Sequence, residues 1–397
     1  MNYAILGCAP EGMGAAIAAR LQLENDSKVF LADKEPGCET RALEKLKELP
    51  AGKNSEALRL SSAKNGVDIF YHREDYIQSL FNNNLIHVVV SALPAKLNLL
   101  AADLAINSGK NYCDLGGVLP ITKKLLQPDM HARAKERNIS LVTGNGFQPG
   151  TGSILAMNMV TSYFADWTPY PAVDSLIIYV GGLPLNIPYK KLFNLTGLEE
   201  IFFNRPLVLL KGKPVTIVPL AHYEVMKSAK DFGFCIGARS VELEAAVTCG
   251  LDALPYYLAG RVKTLQEKTI RYKSHYDLVK KLKKEHPREK FIEEFEKILS
   301  TYPPDNQDIC VLKVEAVGLG KTGKKIKVEA RMVVRSDETW TSMQKCTGFS
   351  AAISAKLIAE GKASPGAYPP EMALDTSEAV LELTKEFGIY VNTTPLE

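Results

Sequence analysis

Residues 1–21 read MNYAILGCAPEGMGAAIAARL, and the order of residue types here decides the fold. Tyr3-Ala4-Ile5-Leu6 is an apolar run of strand length. Gly7, Gly12 and Gly14 follow it, and an alanine-rich helical run continues to Leu23. A strand that enters a helix through glycines opens a βαβ unit. Small residues there let the helix pack closely on the strand, and a bare backbone can approach a phosphate. The amino end of such a helix adds free N–H groups and the positive end of its dipole.

Working outward, Lys28 to Ala32 is a second apolar run, ending at Asp33. Val67 to Phe70 is a third, Ile86 to Ser91 a fourth, Asn111 to Asp114 a fifth and Ser140 to Thr143 a sixth. A helical pattern follows Pro94. Continuous apolar strands separated by helices predict an α/β fold, a doubly wound parallel sheet of Rossmann type covered on both faces. The middle of the chain changes character. Leu176 to Val180, Leu207 to Leu210, Val215 to Pro219, Phe232 to Gly237 and Glu242 to Thr248 read as strands without long helices between them. They predict a second, α+β domain built on a mixed sheet.

From Tyr256 to Ser300 the pattern reads as helical and basic. Residues 261–300 hold 12 Lys/Arg against 7 Asp/Glu, which suits a solvated helical face or, alternatively, an anion-binding surface. Cys310 to Val317 and Ile326 to Val334 form a hairpin around Gly320-Lys321-Thr322-Gly323. Phe349 to Ala359 and Ser377 to Phe387 are helices, and Ile389 to Val391 is a closing strand expected to pack back onto the first domain. The expected domains are therefore 1–125 with 345–397, binding a dinucleotide, and 126–344, binding substrate and dimerising, with a helical insertion near 255–305.

Composition sets bounds on function. The chain has 397 residues, 46% of them hydrophobic, and a net charge of +3, too mild to argue for nucleic acid. No apolar run reaches the ~20 residues that span a bilayer. The first residues carry no export signal, so a cytoplasmic protein is expected. Seven scattered cysteines without a CxxC or a Cys/His cluster predict free thiols and no metal.

A dinucleotide site is expected at the first strand-to-helix turn, built from Gly7, Gly12, Met13 and Gly14. The spacing departs from GxGxxG: either Gly7–Gly12 or Gly7–Gly14 can be the outer pair, and Glu11 is unwelcome beside a pyrophosphate unless it points outward. The loop alone is equally a plain tight turn. Asp33 follows Gly12 by 21 residues, where an acid accepts hydrogen bonds from the adenosine ribose. That favours NAD, while the adjacent Lys34 leaves NADP open. Ser91, Ala92 and Leu93 end the fourth strand, along the cofactor ribose or as an ordinary turn. Asp114 ends the fifth, as a base or ammonium holder, or as a loop residue bonded to the backbone of Gly116 or Gly117.

Beyond residue 110 the motifs Tyr112-Cys113-Asp114-Leu115-Gly116-Gly117, Asn145-Gly146-Phe147-Gln148-Pro149-Gly150, Tyr179-Val180-Gly181-Gly182-Leu183-Pro184 and Lys268-Thr269-Ile270-Arg271-Tyr272 occur in this order. Together with Leu254-Pro255-Tyr256 and the segment Thr347 to Ile353, they resemble the saccharopine dehydrogenase family across nearly the whole chain. Within it the likeness is strongest to the lysine 6-dehydrogenases. The resemblance implies a homodimer and a nicotinamide cofactor that takes hydride from a carbon bearing an amine nitrogen. In the lysine enzymes that carbon is the ε-carbon of L-lysine. The imine is hydrolysed to a semialdehyde and ammonia.

It also implies roles. Gly146 and Phe147 press against the nicotinamide, and Gln148 bonds its carboxamide or the substrate. Thr248 and Asp252 belong to the substrate loop, and Asp252 equally reads as the N-terminal residue of a helix. Arg271 forks onto a carboxylate, and Tyr272 and His275 serve proton transfer, or His275 is a surface or structural residue. Two departures stand out. The lysine enzymes carry an acid where this chain has Gly144, and the usual RYPGH reads Arg271-Tyr272-Lys273-Ser274-His275. The rival substrates are saccharopine or a carboxylated polyamine. A dinucleotide-binding protein without catalysis is the reading of a different class.

Overall fold

The computed structural model describes all residues except 25–26, 34, 36, 48–57, 60–79, 167–170, 188, 190–194, 227–231, 234–240, 304–306 and 397. Lys34 and the expected strand Val67 to Phe70 lie outside the described residues, and Phe232 to Gly237 lies largely outside them. The chain divides into two compact units, 1–150 with 344–379 and 151–343 with 380–397.

The first unit begins with β1, Asn2–Leu6, whose four inward residues are fully buried. It continues through β2 (Lys28–Ala32), β3 (Leu58–Arg59), β4 (Val88–Ser91), β5 (Asn111–Asp114) and β6 (Ser140–Thr143). A short strand from far along the chain, Gly366–Tyr368, joins beside β6. The sheet order is Gly366–Tyr368, β6, β5, β4, β1, β2, β3, and each pairing is parallel. This is the doubly wound sheet that the apolar runs predict. The order reverses between β1 and β4, which opens a crevice at their carboxyl ends.

Helix α1, Met13–Leu21, buries Gly14 to Ala19 and Leu21. Its alanines are needed because it is covered on more than one side. Within the same unit a π-helical turn, Lys345–Phe349, and the helix Ser350–Ala359 lie against it. A side chain at Gly348 would stand 2.7 Å from Ala16 Cβ, so only small residues allow this approach. A helix apolar all round is a buried helix.

The second unit is built on β7 (Val173–Pro184), β8 (Leu207–Leu210), β9 (Lys213–Thr216), β10 (Glu224–Met226), β11 (Leu243–Val247), β12 (Val262–Tyr272), β13 (Asp308–Leu319) and β14 (Lys325–Arg335). The main path runs β10, β11, β12, β7, β13, β14 and then Tyr390–Pro395, with β8 and β9 attached beside β12. Among the described residues only the β7–β12 pairing is parallel, so the sheet is mixed as expected.

Three expectations are corrected. Residues 262–272 are not part of a helical insertion: they form β12, in the interior of the second sheet, because Val262, Leu265 and Ile270 are buried between neighbouring strands. Of the helices of that region, Leu254–Leu258 ends before it, and His275–Glu285 and Arg288–Ser300 begin after it. The closing strand does not return to the first unit, since Tyr390–Pro395 pairs with β14. The first unit also extends to Gly150 rather than 125, because β6 belongs to its sheet.

Candidate functional site

At the carboxyl end of β1 the chain turns through Gly7, with φ +82°. A Cβ on Gly14 would lie 1.9 Å from the Gly7 carbonyl oxygen, so Gly7 and Gly14 are the pair that sets strand against helix. Gly12 caps α1 by its backbone, no side chain caps it, and no acid occupies its first turn. Glu11 is exposed and Met13 half-buried. The loop is held from behind: Lys45 Nζ donates to the Pro10 carbonyl at 3.1 Å and Gln344 Nε2 to the Gly12 carbonyl at 3.1 Å.

Asp33 ends β2, and its Oδ2 accepts from the Cys8 amide at 2.8 Å while Oδ1 accepts from the Glu35 amide at 3.1 Å. It thus braces the glycine loop, and each oxygen keeps a second lone pair for a ribose hydroxyl. The end of β4 presses on the same turn, with the Ala92 carbonyl 3.0 Å from where a Gly7 Cβ would stand. Ala92 and Leu93 are half-buried. Ser91 is turned inward and donates to Asn98 Oδ1 at 2.9 Å, so its hydroxyl does not line the crevice. This bare-backbone cradle at an uncapped helix end fits a dinucleotide diphosphate.

Asp114 ends β5 fully buried. Its Oδ1 accepts from the Gly116 amide at 2.8 Å, Thr143 Oγ1 at 2.9 Å and the Gly144 amide at 3.3 Å. Its carbonyl accepts from the Gly144 and Asn145 amides. Burial pushes the carboxyl up to about 6, against the pull of those hydrogen bonds. The residue therefore clamps the loop after β5 to the loop after β6, the bonded-loop alternative for Asp114. That second loop holds Gly146, buried Phe147, half-buried Gln148 and buried Pro149, and closes with a bridge between Gly146 and Gly150. At Gly144 φ is +97°, a conformation that an acid there would adopt only under strain.

The second unit gathers a separate set. Thr248 Oγ1 lies 2.6 Å from both Glu267 Oε2 and Thr269 Oγ1, and the Gly250 amide donates to Glu267 Oε2 at 3.2 Å. Glu267 is 1% exposed, and burial pushes its carboxyl up to about 7. Asp252, half-buried, continues this loop with φ +48°. Arg271 is buried on β12, donates to the Ile270 carbonyl at 3.0 Å, and is lowered from its ordinary value by burial. Tyr272 points to the opposite face, as strand alternation requires, and donates to the Pro184 carbonyl at 2.5 Å. Burial pushes its phenol up to about 12.

His275 sits among Tyr189, Phe202, Tyr276 and Phe295. Burial there, with the Arg271 charge, holds its imidazole well below the ordinary histidine value, so the ring stays neutral and enclosed. The stretch read as one motif thus splits three ways: Arg271 on one face, Tyr272 on the other, His275 in an aromatic core. Glu267 and Gln344 escaped the sequence reading. Glu267 stands one residue before the recognised motif, and its place among buried residues of a strand is the signal that could have found it.

Among the described residues no group of three or more His, Cys, Asp or Glu gathers as a metal site, and no helix is long and apolar enough to cross a membrane.

Similarity to known proteins agrees with this architecture. The chain is similar over its full length to the saccharopine dehydrogenase (L-Glu forming) of Saccharomyces cerevisiae, at 17% identity and a TM-score of 0.66, covering 100% of both chains. It also matches GenD2 from gentamicin A biosynthesis, solved with NAD, at 12% identity and a TM-score of 0.41, covering 100% of this chain and 96% of that one. A probable dehydrogenase from Thermotoga maritima matches at 11% identity and a TM-score of 0.42, covering 100% and 98%. At these identities the yeast enzyme speaks for the fold, and the other two add nothing to it. The decisive match is to a family model: residues 146–389, more than half of the chain, fit the saccharopine dehydrogenase C-terminal domain, and the chain belongs to that family of oxidoreductases.

Proposed function

We propose that this protein is a nicotinamide-dependent dehydrogenase acting on a C–N bond of an amino acid, with NAD favoured. The observation that carries the reading is the approach of Gly14 to Gly7 at the switch point of the first sheet, beneath an uncapped helix end. Gly7, Gly12, Met13 and Gly14 would hold the diphosphate, Asp33 the adenosine ribose, and Ala92, Leu93, Gly146 and Phe147 the nicotinamide half. When bound, the cofactor supplies a hydride acceptor.

The protein's own part is positioning. Asp114 holds two loops at the crevice in one arrangement, which is what orientation of a reacting C–H bond requires. Its carboxyl, about half protonated near pH 6, can also take a proton from an amine once a loop movement uncovers it. In the second unit the loop Thr248–Asp252 and the guanidinium of Arg271 are residue types that read an amino acid: an acid for an ammonium, a cation for a carboxylate.

The ε-amine of L-lysine is the substrate the motifs favour. Gly144, standing where an acid is usual, favours as second reading a substrate with more carboxylates, saccharopine or a carboxylated polyamine.

Calorimetric titration with NAD(H) and NADP(H), followed by assays at the nicotinamide absorbance with each amine, tests both levels. NAD(H) is expected to bind more tightly than NADP(H). Asp33→Ala is expected to weaken NAD at least about tenfold more than NADP, since a lost charge-assisted hydrogen bond is worth about 1.5–3 kcal/mol. No heat with any of the four coenzymes defeats the dehydrogenase reading. Binding without turnover of any amine leaves a dinucleotide-binding protein.

A further inference from the structure

Three side chains in the second unit close a ring. Thr248, at the end of β11, faces Glu267 and Thr269 on the adjacent β12. The contacts are Thr248 Oγ1 to Glu267 Oε2 at 2.6 Å, Thr248 Oγ1 to Thr269 Oγ1 at 2.6 Å, and Thr269 Oγ1 to Glu267 Oε1 at 3.1 Å. The three residues are exposed by 1%, 1% and 5%, so they are closed off from bulk solvent. Three oxygen–oxygen contacts in a closed ring need three protons. The two threonines supply two. With Glu267 ionised, both 2.6 Å contacts keep a hydrogen only if Thr269 Oγ1 faces the carboxylate Oε1 at 3.1 Å with no hydrogen between them. With Glu267 protonated the ring closes: Glu267 donates to Thr269, Thr269 to Thr248, and Thr248 to the other carboxyl oxygen.

The same carboxyl carries the following loop. The Gly250 amide donates to Oε2 at 3.2 Å, and the Thr248 amide donates to the Glu267 carbonyl at 3.3 Å. A Cβ on Gly250 would stand 2.6 Å from the carboxyl carbon, so the loop lies flat on this group. We propose that Glu267 stands protonated below neutral pH and, through this ring, positions the loop Thr248–Asp252, so that loss of its proton loosens the loop and weakens substrate binding. The link to substrate rests on the function proposed above, in which this loop reads the amino acid.

The groups around it agree. Arg271, four residues along β12, favours ionisation, but burial outweighs it. From the helix His275–Glu285, Tyr276 faces the same interior, protonated by burial, and donates to the Thr269 carbonyl at 2.5 Å. His275 is held neutral. Glu244 on β11 is turned to the start of that helix, accepting from the Ser274 and Tyr276 amides.

Glu267→Gln tests the idea, because the amide is isosteric, neutral at every pH, and can both donate to Thr269 and accept from Thr248 and Gly250. Infrared difference spectra of wild type against this variant at about pH 5.5 should show the carbonyl band of one protonated carboxyl, fading as pH is raised to about 8.5. Hydrogen exchange at the Gly250 amide, corrected for intrinsic rate, should lose protection in the wild type between pH 6 and 8.5 and stay level in the variant. Neither measurement needs a substrate, so the ring is decided even if no amine is turned over. With a substrate, the wild-type KM should rise toward about tenfold per pH unit above 7, with kcat less affected, while the variant keeps the low-pH KM throughout. A missing carboxyl band, Gly250 protection that does not depend on pH, or KM profiles that coincide would overturn the proposal.

Discussion

Glu267 ties stability to pH. Its folded value, about 7, lies above its ordinary value of 4.5, so the stability it contributes is complete below about 4.5 and is lost as pH rises through 7. Asp114 acts in the same sense between 3.8 and about 6. His275 acts in the opposite sense: held neutral, it contributes above its ordinary 6.5 and loses that contribution as pH falls. Denaturant unfolding from pH 5 to 8 is therefore expected to separate wild type from Glu267→Gln. The wild type should lose on the order of 1 kcal/mol per pH unit relative to the variant until pH 7. Parallel curves would mean the carboxyl is ionised throughout. Asp33 and Asp114 were legible as residues because each ends an apolar run. Glu267 was not, since its meaning comes from Thr248, 19 positions away, and only strand register brings the two together.

Among the elements, α1 shows how much of the fold one short stretch encodes. Its glycines and alanines announce close packing on a strand. The second covering layer, the π-helical turn at Lys345–Phe349, could not be read from residues 1–21, because it comes from more than 300 residues further on. The Gly14→Ala methyl would meet the Gly7 carbonyl at 1.9 Å and must push α1 off β1. That variant is expected to lose about 1–3 kcal/mol of stability and most of its affinity for a nicotinamide coenzyme. Gly12→Ala meets nothing closer than 3.1 Å and should be milder, so equal effects in thermal melts and titrations would count against the tight pair. The misreading of β12 as helical has a physical source. Ionisable residues at 261, 263, 267, 268, 271 and 273 hide the alternation, and Glu267 and Arg271 are buried in polar contacts rather than solvated.

For the molecule as a whole, strands alternating with helices revealed the first sheet and strands without long helices between them the second, but not which segments close them. Tyr390–Pro395 resembles any closing strand in sequence, and its pairing with β14 is a matter of register along an eleven-residue edge. Deleting residues 388–397 should expose that edge, lower the urea midpoint and promote aggregation on warming. A deletion variant that stays monodisperse with an unchanged midpoint would show that β14 needs no cover.

The two units are interleaved in sequence, and this has a bearing on biosynthesis. Residues 344–379, which supply the cover of α1 and the strand beside β6, leave the ribosome only after the whole of 151–343 has emerged. Throughout that interval the nascent first unit presents a bare alanine-lined helix and an open sheet edge, a surface suited to holding by a chaperone until residues 344–379 emerge.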